Sequence, residues 1–151
     1  MQTIAITAAT EDEASQVCAQ LRAFNRRAVG SFEFAPLWLV ARDEAGALCG
    51  GLVGEVYLGW LFIDSLWVAD HARGRGTGSA LLRQPEAGAL GIGAHSAFTD
   101  TFQWQAEPFY ARHGYEVFGR LENFPVGSAR MFMRKTLAVA NEAERAEVAS
   151  A

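Results

Sequence analysis

The stretch that most limits the fold is residues 36–68. It holds three strand-like runs, "PLWLVAR", "ALCGGLVGEVYL" and "WLFIDSLWV", separated by "DEAG" and by Gly59. Valine, isoleucine and aromatic residues suit a pleated, half-buried surface. Connections this short force consecutive strands to lie side by side and antiparallel. The last two runs are apolar on both faces, which puts them inside the sheet. The chain therefore has an antiparallel meander near its start, where a parallel βαβ dinucleotide fold would need a crossover helix.

The remaining elements can be read around that meander. "QTIAIT", residues 2–7, is expected to form a first strand. Thr10 and Glu13 have the capping-box spacing, and Ala14, Val17, Cys18, Leu21 and Phe24 follow at helical intervals until Gly30 breaks the pattern. A second helix is expected over residues 76–90, with a kink or early stop at Pro85. "AHSAFTDT" reads as a strand, and "EPFYARHG" as a short helix with Pro108 in its first turn and Gly114 as its stop. "YEVFGRLE" and "ARMFMRKTL" close the sheet. The order β-α-βββ-α-β-α-ββ is a mixed, mainly antiparallel α/β sheet flanked by helices, one domain over residues 1–137. Residues 138–151 are an Ala/Glu-rich extension without a wide apolar face, expected to be flexible.

Composition narrows the function classes. Half of the 151 residues are hydrophobic, enough for a true core, and the net charge is −4. The terminal extension supplies −2 of that charge, so the body is near neutral, without the basic footprint of a nucleic-acid binder. "MQTIAIT" lacks a basic start and long apolar core, and the apolar runs on either side of Glu55 fall short of the roughly 20 residues a membrane span requires. A soluble, cytoplasmic protein with no membrane partner is expected. Cys18 and Cys49 form no CxxC pair and read as small buried hydrophobes. His71, His95 and His113 lack any ligand spacing; they read as surface or capping residues, and no metal is expected.

Chemistry is concentrated in "RGRGTG", Arg73 to Gly78, between the third strand and the second helix. A strand running through glycines into a helix gathers free backbone N–H groups at the positive end of the helix dipole. Such a site favours an anion, and Arg73 and Arg75 add charge-assisted bonds. The loop is neither GxxxxGK[ST] nor GxGxxG, because Gly74, Gly76 and Gly78 are spaced GxGxG. ADP or NAD binding by an oxidoreductase therefore fits poorly, while a plain glycine turn stays open on composition alone.

The run "LWVADHARGRGTGSALL" resembles the coenzyme A-binding segment of the GNAT superfamily of N-acetyltransferases, with its R/Q-x-x-G-x-G/A loop. Arg73, Gly76 and Gly78 fill its three defining positions. "FQWQAEPFYARHGYE" is similar to the family's later N-x-x-A-x-x-x-Y segment followed by G-[FY]: Ala106, Tyr110, Gly114 and Tyr115 match, and Gln103 stands in place of the usual Asn. The order of elements agrees over residues 2–137.

The resemblance implies an acyl-CoA N-acyltransferase (GNAT-like) fold that moves the acetyl group of acetyl-CoA to a primary amine by direct attack in a ternary complex. It implies backbone amides of Arg73, Gly74, Arg75, Gly76, Thr77, Gly78 and Ser79 around the pyrophosphate. Leu66, Trp67 and Val68 would lie along the pantetheine amides, Gln103 would reach CoA, and Tyr110 would serve as general acid to the departing thiolate. As base, Asp64 and Glu55 are candidates, since a carboxylate in an apolar strand is costly unless used or paired. Water or a plain strand-edge position is the alternative for each. The connection "FNRRAVGSFEF" is expected beside the acceptor, whereas Trp60, Trp67 and Trp104 read as packing residues. The acceptor is a small molecule or a peptide amine, and a homodimer through "YEVFGRLE" or "ARMFMRKTL" is plausible for such a fold. A catalytically silent CoA-binding sensor with the same fold remains the alternative to an enzyme.

Overall fold

Alternation over residues 35–68 produces the meander. In the computed structural model, which describes residues 3–137, β1 (Ala35–Arg42), β2 (Leu48–Tyr57) and β3 (Trp60–Val68) pair antiparallel in sequence order. The β1–β2 turn is closed by Ala47 N–H donating to Asp43 Oδ1 at 2.9 Å. The β2–β3 reversal places Leu58 and Gly59 at positive φ between the paired Tyr57 and Trp60. A short 3₁₀ turn (Asp70–Ala72) and the glycine loop lead to α2 (Thr77–Gly91). β4 (Ser96–Phe102), α3 (Glu107–Arg112), β5 (Glu116–Glu122) and β6 (Ala129–Thr136) follow. The sheet order is β1-β2-β3-β4-β6-β5, with β3–β4 as its single parallel pair.

The chain divides into two compact units, Met1–Glu33 and Phe34–Ala151. The first holds α1 (Glu11–Val29), which opens on a complete capping box. Thr10 N–H donates to Glu13 Oε2 at 2.8 Å, and Glu13 N–H donates to Thr10 Oγ1 at 3.3 Å. The strand expected over residues 2–7 does not form in the described part, residues 3–7. An alternating segment becomes a strand only where its N–H and C=O groups join a ladder, and none of residues 3–10 does. Cys18 on α1 is exposed, contrary to its reading as buried, while Cys49 on β2 is buried.

In the second unit the core lies between one face of the sheet and the helices. Leu52, Leu61, Ile63, Leu82 and Met133 are almost wholly buried, each worth about 1.5–3 kcal/mol of transfer free energy. On α2 the buried residues are Leu81, Leu82, Pro85, Glu86 and Ala89, a single stripe at helical spacing. That stripe explains why α2 runs through Pro85 instead of stopping: the proline is itself buried, and the packing on both sides offsets the lost hydrogen bond and ring clash, together about 3 kcal/mol. Glu86 carries a buried network, accepting from Lys135 Nζ at 2.8 Å and from the Tyr115 hydroxyl at 3.2 Å. The two closing strands form as expected, β6 in the interior of the sheet and β5 at the edge opposite β1.

Candidate active site

The site begins with an irregularity that the sequence pattern does not announce. Gly54 pairs with Ile63 but Val53 pairs with Ser65, so Asp64 is an extra residue, a β-bulge. Parallel pairing of β3 with β4 ends at the same place, since Ile63–Thr99 is its last pair. A bulge bends its strand, and here β3 leaves β4 and opens a wedge. Thr99 Oγ1 donates to Ile63 O at 2.9 Å and pins the apex.

Register decides which backbone groups face that wedge. Ala69 N–H donates to Cys49 O at 2.8 Å, which makes Gly50–Val68 a non-hydrogen-bonded pair, and alternation makes Leu52–Leu66 the same. Leu66 and Val68 therefore turn N–H and C=O away from β2, toward the wedge. Trp67, in the hydrogen-bonded pair with Gly51, has its backbone groups engaged.

The glycine loop lies where β3 ends. Gly76 is the N-cap of α2, left-handed at φ 80°, and no side chain caps the helix. The first helical N–H to find a carbonyl is that of Ala80, on Gly76 O at 3.0 Å, which leaves those of Thr77, Gly78 and Ser79 outside the ladder. These donors with the helix dipole make an anion cradle. Arg73 is folded back: its Nε donates to Val68 O at 3.1 Å, its Nη1 lies 2.9 Å from Asp70, and its N–H is used on Asp70 O. Arg75 lies free of any such tie-back and lines a cavity of about 370 Å³ beside the loop with Thr77 and Gln84.

Across the wedge stands α3. Tyr110 is buried, edge-on to Phe109 and Tyr115. Burial pushes its phenol above the ordinary value, a side-chain hydrogen bond with Thr99 opposes this, and the Asp100 charge adds to it. The phenol thus holds its proton at neutral pH at the point where β3 and β4 part. The ring of Phe109 approaches Gly78 so closely that an added Cβ would lie 3.3 Å from Cε2. Ser79 Oγ and His113 Nε2 share a hydrogen bond at 3.0 Å, so the histidine read as a cap also touches the loop.

Glu55 lies opposite Phe62 in the ladder, while Asp64 is the exposed bulge residue and accepts from Ser65 Oγ at 3.1 Å. Gln103 is exposed, and its N–H is used on Ala129 O at 2.9 Å. Gln105 instead staples the loop, its Oε1 accepting from Phe102 N–H at 2.8 Å and Thr101 Oγ1 at 3.3 Å. Phe34 packs on Tyr57 with ring centroids 4.7 Å apart. Trp67 and Trp104 are 50% and 61% exposed, and Trp104 nevertheless packs one face of its ring on Phe102. Thr99, Asp100 and His113 were missed because their roles depend on neighbours distant in the chain. Among the described residues no three His, Cys, Asp or Glu side chains cluster as a metal site.

The model of a family described as an acetyltransferase (GNAT) domain matches residues 35–117, the span from β1 through the wedge to β5. The chain belongs to the GNAT acetyltransferase family. It is 39% identical over 121 residues to blasticidin-S acetyltransferase of Streptomyces morookaense, covering 78% of this chain and 88% of that one. An acetyltransferase from Bacillus cereus superposes with a TM-score of 0.80 at 31% identity, over 88% of this chain and 97% of that one. An aminoglycoside 6'-N-acetyltransferase complexed with coenzyme A shares the fold at a TM-score of 0.61 and 17% identity, over 68% and 73% of the two chains. This GNAT protein is accordingly an acetyl-CoA-dependent N-acetyltransferase. Its uncapped α2 terminus and the wedge-facing groups of Leu66 and Val68 fit such a donor, offering N–H groups to an anion and an open strand edge to amides.

Proposed function

We propose that this GNAT enzyme acetylates a primary amine on a small molecule by direct attack within a ternary complex. The observation that carries the reading is the parting of β3 from β4 at Ile63–Thr99, with the protonated phenol of Tyr110 at the same point. Acetyl-CoA, when bound, supplies an activated acyl group. The N–H groups of Gly74 to Ser79 hold its pyrophosphate, Arg75 adds charge, and Arg73 shapes the loop through Val68 and Asp70. Leu66 offers its N–H and C=O, and Val68 its N–H, along the wedge, so that an N–H meets oxygen where negative charge grows. Asp64, at the bulge, takes the proton of the acceptor ammonium directly or through water, with Glu55 as the second candidate. The Tyr110 O–H gives its proton to the departing thiolate.

A small-molecule acceptor comes before a peptide because the similar enzyme from Streptomyces morookaense is named for blasticidin S. Soluble, cytoplasmic activity accords with this reading, and no helix among the described residues is long and apolar enough to cross a membrane. Two copies would meet through the edge strand β5, where Val117, Phe118 and Leu121 are 44–49% exposed; sedimentation of a Phe118→Lys variant tests that.

The test is release of free CoA thiol from acetyl-CoA with a panel of amines that includes blasticidin S. Acetylated product with at least one amine is expected. Acetyl-CoA that binds and raises the melting temperature, yet is consumed with no amine, would instead favour the silent sensor.

A further inference from the structure

On the sheet face away from α2, the outward residues of β4 end at Phe102, whose ring lies in a near-parallel stack. Trp104 is on one side at 4.6 Å and 10°, and Phe124 is at 5.5 Å and 10°. Arg130 on β6 is fixed beneath these rings. Its guanidinium carbon is 5.5 Å from the Phe102 centroid and 5.3 Å from that of Phe124, and its Nε and Nη2 donate to Asp100 Oδ1 at 2.7 and 2.5 Å. The turn carrying Trp104 is equally constrained. Gln105 N–H donates to Phe102 O at 2.9 Å, Gln105 Oε1 accepts from Phe102 N–H, and Ala106 N–H donates to Thr101 Oγ1 at 3.2 Å.

An indole held this firmly and still 61% exposed is unusual, because the entropy of ordering is spent while apolar surface stays in water. Its position gives it a use. Trp104 lies in the short connection between β4, whose Thr99 pins the apex of the wedge, and α3, which carries Tyr110. A rigid aromatic surface binds a flat ring at little entropic cost, since neither partner has much freedom left to lose.

We propose that the open side of Trp104 extends the Phe124–Phe102–Trp104 stack to a flat conjugated ring in the acceptor, so that the enzyme selects ring-bearing amines over aliphatic ones. The inference rests on the small-amine reading above and names the chemical class of that amine. Trp104 is a specificity-determining residue here, and the acetyl-donor side of the wedge does not depend on it.

The experiment compares kcat/KM for size-matched primary amines, tryptamine and phenethylamine against hexylamine and cyclohexylmethylamine, in the wild type, Trp104→Ala and Trp104→Phe. The wild type should favour the flat-ring amines by roughly tenfold, the scale of one stacked ring. Trp104→Ala should abolish the preference through KM for the amine, with the acetyl-CoA KM within about twofold, and Trp104→Phe should restore most of it. Equal use of both amine types by the wild type, or a preference that survives Trp104→Ala, would overturn the inference while leaving the acetyltransferase reading intact. If no amine of the panel is acetylated, calorimetric titration of tryptamine into the CoA-bound protein decides the stack separately. Binding weakened about tenfold by Trp104→Ala supports it, and absence of binding or indifference to the substitution overturns it.

Discussion

Two strand–loop–helix units face each other across the wedge, and they treat their backbone donors in opposite ways. In β3–loop–α2 the loop is glycine-rich, the helix has no side-chain cap, and the first N–H groups stay outside the helical ladder. In β4–loop–α3 the Gln105 and Thr101 side chains take up the loop donors, and Pro108 stands in the first turn, where its missing N–H costs nothing. In the proposed mechanism the first unit therefore binds with its backbone, whereas the second acts through the side chains it projects, Tyr110 inward and Trp104 outward. The units are joined by Ser79–His113, by the Gly78–Phe109 contact and by Glu86–Tyr115. A binding loop can afford few internal bonds; a positioning loop needs many.

The largest effect should come from the β4–loop–α3 unit. Tyr110→Phe keeps the buried ring and removes the proton donor, so kcat should fall about 10²-fold or more while acetyl-CoA affinity stays within about twofold. Stopped-flow turnover with equilibrium binding separates the two, and an unchanged kcat would strip the unit of its chemical role.

Breaking the link between the units comes next. Glu86→Ala leaves the buried Tyr115 hydroxyl without its acceptor and a three-quarters buried Lys135 without its partner. Urea unfolding should reveal a loss of about 2–3 kcal/mol, below the full cost for a buried pair because Lys135 keeps some water contact. A loss under about 0.5 kcal/mol would mean that the helices are held apart from this network.

The β3–loop–α2 unit should respond more gently. A Cβ at Gly76 would meet nothing within 4 Å, so Gly76→Ala acts only through its left-handed φ, at about 1–2 kcal/mol. Acetyl-CoA should bind several-fold more weakly as the loop relaxes to negative φ, with kcat at saturation little changed.

The smallest effect is electrostatic and sharpens the Ser79–His113 contact. Burial first, then the Arg83 charge, holds His113 below its ordinary value of 6.5; Glu86 opposes this, and Lys135 and Arg112 add to the lowering. The unfolded imidazole therefore takes up a proton at higher pH than the folded one. The stability that the neutral ring contributes is present above its ordinary value and is lost as pH falls toward the folded one. His113→Gln should flatten the fall in melting temperature between about pH 7 and pH 5. An identical slope in both proteins would separate His113 from the loop.

Much of this architecture could be read from residues alone. The meander, the Thr10–Glu13 capping box, the loop ahead of α2 and the short helix of Tyr110 are all local patterns, governed by side-chain alternation, caps and turn residues within a few positions. The expectation for residues 3–7 failed because an alternating pattern states only that a segment could pair. Pro85 misled because the cost of a proline is local and the burial that offsets it is not. Trp104 packs on Phe102 as its aromatic character suggests, but its large exposure was not legible because hydrophobicity predicts burial only on average.

By itself, then, the sequence determined the order of elements from α1 onward and the loop whose backbone donors precede α2, since both depend on neighbours along the chain. Only the tertiary structure decided where β3 leaves β4, that Thr99 and Tyr110 meet at that point, and which donors stay open. The apex joins Ile63 to Thr99 and Tyr110, 36 and 47 positions further along the chain, through a bulge on one strand, a ladder ending on the next and a helix packed over both.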